Sequence, residues 1–148
     1  MSELKDYSWL REHTEVYLRD PECAHDWDAT PVGGIGLVPT LLLTTVGRHS
    51  GERRPTPLLY QPTGTGFVVV ASRGGSDHHP AWYLNLLANA SCEVQAGRFG
   101  YAATARVLGS EERGPYWDRM VRFWPDYGNY QARTSREIPV VILDAVNR

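Results

Sequence analysis

The chain reads as an α+β domain whose antiparallel sheet closes into a small barrel. Three observations carry that reading. Apolar runs of strand length are separated by glycine-rich turns, as in Gly64-Thr65-Gly66 and Gly97-Arg98-Phe99-Gly100. Helical stretches are inserted between hairpins without a regular βαβ alternation. And 148 residues with 42% hydrophobic content suffice for one core and are short for two.

The elements follow in order. Leu4, Tyr7, Leu10, Thr14, Tyr17 and Leu18 recur at three- and four-residue spacing, which predicts a helix over residues 3–19. Ser2 is its candidate cap, and Pro21 stops it. Residues 22–36 are rich in Pro, Gly, Asp and Thr and are expected to be an extended connector. Strands are expected over 40–46 and 56–61, then over 67–72 after the Gly64–Gly66 turn. Pro80 suits the first turn of a helix reaching residue 89, with Asp77 or His79 near its cap. Residues 92–96 and 101–107 form a second antiparallel pair. Ser110-Glu111-Glu112 gives an acidic first turn to a helix that ends near Phe123, before Pro125. A short aromatic segment, 126–133, precedes a last strand over 138–143. Residues 1–36 are thus a helix and connector preceding the barrel of 37–148, within one domain overall.

Charge is nearly balanced, at −2 overall. Between Leu37 and Arg73 the charged residues are Arg48, Glu52, Arg53, Arg54 and Arg73, a local cationic patch. That suits a small anionic ligand and lacks the broad basic face that a nucleic acid needs. Two cysteines, Cys23 and Cys92, form no disulfide pattern and fit a reduced compartment. The charged N-terminus has no secretory apolar core, and no run is long enough to span a membrane, so the expectation is cytoplasmic. The mixed charges of the first helix do not favour membrane-surface association; packing on the domain or on a second copy in a homodimer suits it better.

Several chemistries are excluded. Gly33-Gly34-Ile35-Gly36 precedes a strand, where a dinucleotide fingerprint must follow one. No Gly-x-Ser-x-Gly elbow or Walker motif is present. Asp77-His78-His79 with Cys23 and His25 lacks metal-ligand spacing, so no metal is expected.

Two turns remain. Leu41–Val46 runs into Gly47-Arg48-His49-Ser50-Gly51-Glu52-Arg53-Arg54, and Val68–Val70 runs into Ala71-Ser72-Arg73-Gly74-Gly75. Each delivers arginine, small side chains and unobstructed amides, the donors that phosphate and carboxylate oxygens take. Taken in order with Pro57-Leu58 and Pro80-x-Trp82-Tyr83-x-Asn85-Leu86, they resemble the deazaflavin-dependent nitroreductase family. The resemblance runs from Leu41 nearly to the C-terminus. It implies a split β-barrel of the FMN-binding type and an oxidoreductase using coenzyme F-420, a deazaflavin. Reduced cofactor would pass a hydride to a quinone, a nitroaromatic or an activated enone.

Carried onto this chain, the resemblance implies that Arg48, His49, Ser50 and Arg54, with Arg53 as an extra charge beside them, hold the phosphate and acidic tail. Pro57, Ala71, Ser72, Gly74, Gly75 and Trp82 would lie about the ring, with Arg73 reaching the charged portion of the cofactor. Trp82, Trp124, Tyr127 and Tyr130 would line the acceptor side, with Ser72, Tyr127 and Tyr130 as catalytic candidates. Two positions depart from the family pattern: His49 stands where lysine is usual, and Trp124 where a tyrosine appears. Trp82 and Trp124 also have an ordinary reading as core packing. Two rivals remain: an FMN enzyme in the same barrel, and a deazaflavin-binding protein without turnover.

Overall fold

The computed structural model describes residues 8–28 and 37–146. The first part of the expected N-terminal helix and the Gly33–Gly36 run lie outside them. Helix α1 (Ser8–Arg19) is followed by α2 (Pro21–His25) and a short strand β1 (Asp26–Asp28). The connector therefore holds structure that its composition hid. Pro21 stops α1 and also opens α2, where its missing N–H is no loss.

Strands β2 (Leu37–Val46), β3 (Arg53–Leu59), β4 (Gln61–Pro62) and β5 (Gly66–Val70) come next, then α3 (Ala81–Ala88). Strands β6 (Ser91–Ala96) and β7 (Phe99–Val107) form a hairpin. Helices α4 (Ser110–Phe123) and α5 (Asp126–Ala132) precede β8 (Val140–Ala145). The 126–133 aromatic segment, to which the sequence assigned no element, is helical over Asp126–Ala132. Pro80 is the cap of α3 rather than its first helical residue, and neither Asp77 nor His79 caps it. Their side chains are used elsewhere, Asp77 by Thr134 and His79 by Arg136.

Every pairing is antiparallel, in the order β1-β2-β6-β7-β8-β5-β4, with β3 on β2. The path ends at β4, and β3, consecutive with it through Tyr60, lies off the path on β2 near the other end, so the sheet curls into a barrel. Pro55 and Pro57 fall two residues apart in β3, which among the described residues pairs only with β2. Both lack an N–H, so this edge cannot recruit another strand.

Strand alternation feeds two cores. Leu41, Leu43, Val69, Val141 and Leu143 pack inside the barrel with Trp82, Tyr83 and Leu86 of α3. Val68, Val70, Val140 and Ile142 face the other way, against Met120 of α4, Trp124 and Tyr127. Strands β5 and β8 are therefore covered on both sides, which explains the apolar runs Phe67–Val70 and Val140–Leu143 within them. Each of those side chains contributes about 1.5–3 kcal/mol by leaving water. A charge at Val141 would have no solvent on either face. A smaller cluster of Tyr17, Ala24 and Leu42 seats α1 and α2 on β2.

Four antiparallel steps lead from β2 to β5, so the two strands run the same way. The turns that follow Val46 and Val70 consequently lie at one end of the barrel.

Candidate functional site

At that end the chain forms an open groove of about 750 Å³, within the range of small-molecule sites. Its basic wall is Arg48, His49, Ser50 and Arg54; Pro55, Pro57 and Trp82 make an apolar side, and Thr14 and Glu15 of α1 reach its rim.

The first basic turn is closed by its own backbone. The Gly47 N–H donates to the Glu52 carbonyl, and the Gly51 N–H to the Gly47 carbonyl, both at 2.8 Å. Gly51 has φ +73°, which suits glycine. The Ser50 hydroxyl accepts from the Glu52 N–H at 3.1 Å and from Arg54 Nη2 at 3.4 Å. Arg54 also meets the Glu52 carboxylate at 3.3 Å.

Asn85 ties this turn to α3. Its side-chain oxygen accepts from the Arg48 N–H at 3.2 Å and from Arg48 Nη1 at 2.9 Å. Its amide donates to the Thr45 hydroxyl at 3.1 Å. Asn85 is 4% exposed and Thr45 1%, so the amide is a buried polar group whose bonds fix a surface arginine. Asn85 belongs to the Pro80-x-Trp82-Tyr83-x-Asn85-Leu86 motif, whose spacing alone does not announce this role. Arg53 takes a different path: it forms a two-pronged ion pair with Glu93 on β6. Strand β3 begins at Arg53, three residues before the expected 56, and adjacent residues of a strand face opposite ways, so Arg53 and Arg54 part.

The second turn has unusual backbone. Ser72 is right-handed helical (φ −79°, ψ −37°), whereas Arg73 has φ +44° and Gly74 φ +62°. A right-handed residue followed by a left-handed one aims successive N–H groups into a concavity that suits anions and carbonyl oxygens. A non-glycine residue in this region is uncommon, and such strain concentrates at functional sites. Gly75, at φ +83°, backs onto α5: a Cβ there would lie 2.7 Å from the Tyr130 carbonyl and 2.9 Å from its Cα. Ala71 shares the inner core with Trp82, so α3 bridges the two turns.

Trp124, which caps the C-terminus of α4, and Tyr127 of α5 sit in the outer core, the packing role weighed for Trp124. Burial pushes the Tyr127 phenol well above its ordinary range, with Tyr130 adding to the shift. Tyr130 is half-buried beside it, ring centroids 6.1 Å apart, and its backbone borders Gly75. None of these three aromatics lines the groove. Arg136, which sequence reading passed over, holds the second turn from behind.

The family model described as F420H(2)-dependent quinone reductase matches residues 9–145, reaching further toward the N-terminus than the quoted motifs. An F420H(2)-dependent quinone reductase of Mycobacterium tuberculosis (strain ATCC 25618 / H37Rv) is 38% identical over 143 residues, covering 91% of this chain and 95% of the relative. A putative F420H(2)-dependent quinone reductase of the same strain is 41% identical over 106 residues, 72% of this chain and 89% of the relative. Among solved structures, one described as an F420-H2 dependent reductase superposes with a TM-score of 0.67 at 40% identity, covering 75% of this chain and all of that one. A domain-swapped dimer superposes with a TM-score of 0.68 at 38% identity, covering 93% and 98%.

Proposed function

The chain belongs to the F420H(2)-dependent quinone reductase family, and from that premise we propose that it reduces a quinone with coenzyme F-420 held across the two turns. The observation that carries the reading is their convergence at one barrel end, with a cationic groove beside an apolar wall. The donor set fits the cofactor. Arg48, Arg54 and the Ser50 hydroxyl suit phosphate and carboxylate oxygens, and the Ser72 turn offers outward amides to the pyrimidine edge of a flat ring.

When bound, the reduced deazaflavin supplies a hydride from C5. The protein supplies position. Pro57 and Trp82 confine a planar ring, and Asn85 holds Arg48 in place before any ligand arrives, which lowers the entropic cost of binding. His49, where the family has lysine, tunes the grip on the tail. Ala71, Ser72, Arg73, Gly74 and Gly75 form the ring-facing turn. Ser72 and Tyr130 border the acceptor space, while Trp124 and Tyr127 support Tyr130 from the core. Solvent reaching the open groove protonates the reduced acceptor.

A quinone is the leading acceptor, on the strength of the relatives' names; nitroaromatics and activated enones are the wider class to test. A homodimer belongs to the proposal, supported by the domain-swapped structural relative. Among the described residues no helix is long and apolar enough to cross a membrane.

Fluorescence titration with coenzyme F-420, with FMN in parallel, tests the cofactor. Anaerobic mixing of reduced coenzyme with a water-soluble quinone tests turnover. Binding of F-420 in preference to FMN, followed by oxidation of the reduced form, is expected. FMN binding alone would overturn the cofactor, and F-420 binding with no oxidation by quinones, nitroaromatics or enones would make this a carrier rather than a reductase.

A further inference from the structure

Arg136 lies in the loop between α5 and β8, outside the groove, and its guanidinium fills the inner side of the turn after β5. Nη1 donates to the Ala71 carbonyl at 3.2 Å, Nη2 to the Ser72 carbonyl at 2.8 Å and Nε to the Ser76 carbonyl at 2.7 Å. Nη1 also reaches His79 Nδ1 at 3.2 Å. We propose that Arg136 is the positioning residue that sets the ring-facing turn of the F-420 site. The inference rests on the reading that this turn takes the deazaflavin ring.

In a trans peptide the carbonyl and the following N–H point in opposite directions. Drawing the Ala71 and Ser72 carbonyls inward therefore turns the N–H groups of Ser72 and Arg73 outward. The left-handed Arg73 and Gly74 complete the concavity, and the guanidinium behind it adds positive charge toward whatever oxygen sits in front. The job needs a planar fork whose three separated nitrogens meet four acceptors at once, which the single nitrogen of lysine cannot do.

The fork itself is held. Gln131 Nε2 donates to the Arg136 carbonyl at 2.7 Å, and the Arg136 N–H donates to the Thr134 hydroxyl at 3.3 Å. That hydroxyl donates in turn to Asp77 at 2.7 Å, stitching the loop to the far side of the turn. Because His79 accepts at Nδ1, its proton resides on Nε2, which gives a spectroscopic reporter next to the fork.

The test uses R136M and R136K in the full chain, with two ligands: coenzyme F-420, and its deazaflavin core lacking the phosphate and glutamate tail. R136M is expected to weaken both by the same factor, about tenfold, and to lower kcat on the order of 10²-fold, as misplaced reacting groups do. R54M should instead weaken the complete coenzyme and leave core binding within about twofold. In R136M, ¹⁵N spectra of His79 should show loss of the single Nε2–H tautomer. R136K should fold and still lose kcat, which decides the matter if R136M does not fold. Wild-type binding of both ligands with unaltered kcat in R136K overturns the inference alone, as does loss in R136M confined to the tailed coenzyme. A wild-type protein that binds neither ligand overturns the proposed function and this inference with it.

Discussion

Replacing Asn85 by alanine removes three hydrogen bonds at once, two to Arg48 and one to Thr45. A neutral hydrogen bond contributes about 1 kcal/mol net, and one to a charged group about 1.5–3 kcal/mol. The Arg48 groups are exposed enough for water to replace part of what is lost, whereas the Thr45 hydroxyl is sealed from solvent. The expected loss is therefore about 2–3 kcal/mol, at the large end for a single substitution. For a chain of this size, about 3 °C accompanies each kcal/mol, so Tm should fall by roughly 6–9 °C. The freed Arg48 must also be ordered when a ligand arrives, at about 0.5–1.5 kcal/mol. F-420 should accordingly bind roughly three- to tenfold more weakly. Calorimetry of the free protein and a fluorescence titration measure the two effects separately. An Asn85→Ala protein that melts within about 1 °C of wild type and binds F-420 within about twofold would refute the clamp.

Gly75→Ala meets both the positive φ and the Tyr130 backbone; the expected cost is about 2–4 kcal/mol, seen as a lower urea midpoint. Gly51→Ala makes the comparison, since it has a positive φ but nothing within 4 Å of the added methyl, and should cost only about 1–2 kcal/mol. Acid should weaken the fold in two stages. Burial chiefly holds the His13 imidazole below its ordinary 6.5, against the Ala24 hydrogen bond, and burial and then the Arg136 charge do the same to His79. The unfolded chain therefore takes up protons first as pH drops through about 6.5, and stability falls with it. A hydrogen bond from Thr65, with Arg106 beside it, holds Asp144 below its ordinary 3.8, so its contribution is present above that value and is lost as pH falls further. Urea midpoints across that range check both stages, and His13→Gln should make the first shallower, leaving the part that His79 carries.

The parts of the fold legible in sequence were those set by local pattern. The turns at Gly64–Gly66 and Gly97–Gly100, and the doubly covered runs Val68-Val69-Val70 and Val140-Val141-Ile142, announced strands wherever they occur. Helix α5 was hidden because Gly128 and two tyrosines in seven residues blur any apolar stripe. Helix α2 was hidden because Pro21 ends one helix and begins another, and only the first half of that has a conventional signature. At the site, composition pointed to the two turns, but the partners that hold them are remote: Asn85 is 37 residues from Arg48, and Arg136 is 64 from Ser72. No periodicity spans such distances. The separation of Arg53 from Arg54 was hidden as well: the strand was expected only from residue 56, whereas β3 begins at Arg53, and only one of two strand neighbours can face the groove.

The central claim is that one end of the barrel, built from both turns, is the F-420 site. Amide and indole ¹H–¹⁵N spectra recorded through an F-420 titration test it most directly. The account predicts shifts at Arg48, His49 and Ser50, at Ser72, Arg73 and Gly74, and at the Trp82 indole. The opposite end, marked by Gly97 and Tyr60, should stay still. Shifts confined to that opposite end, or to one turn without the other, would contradict it.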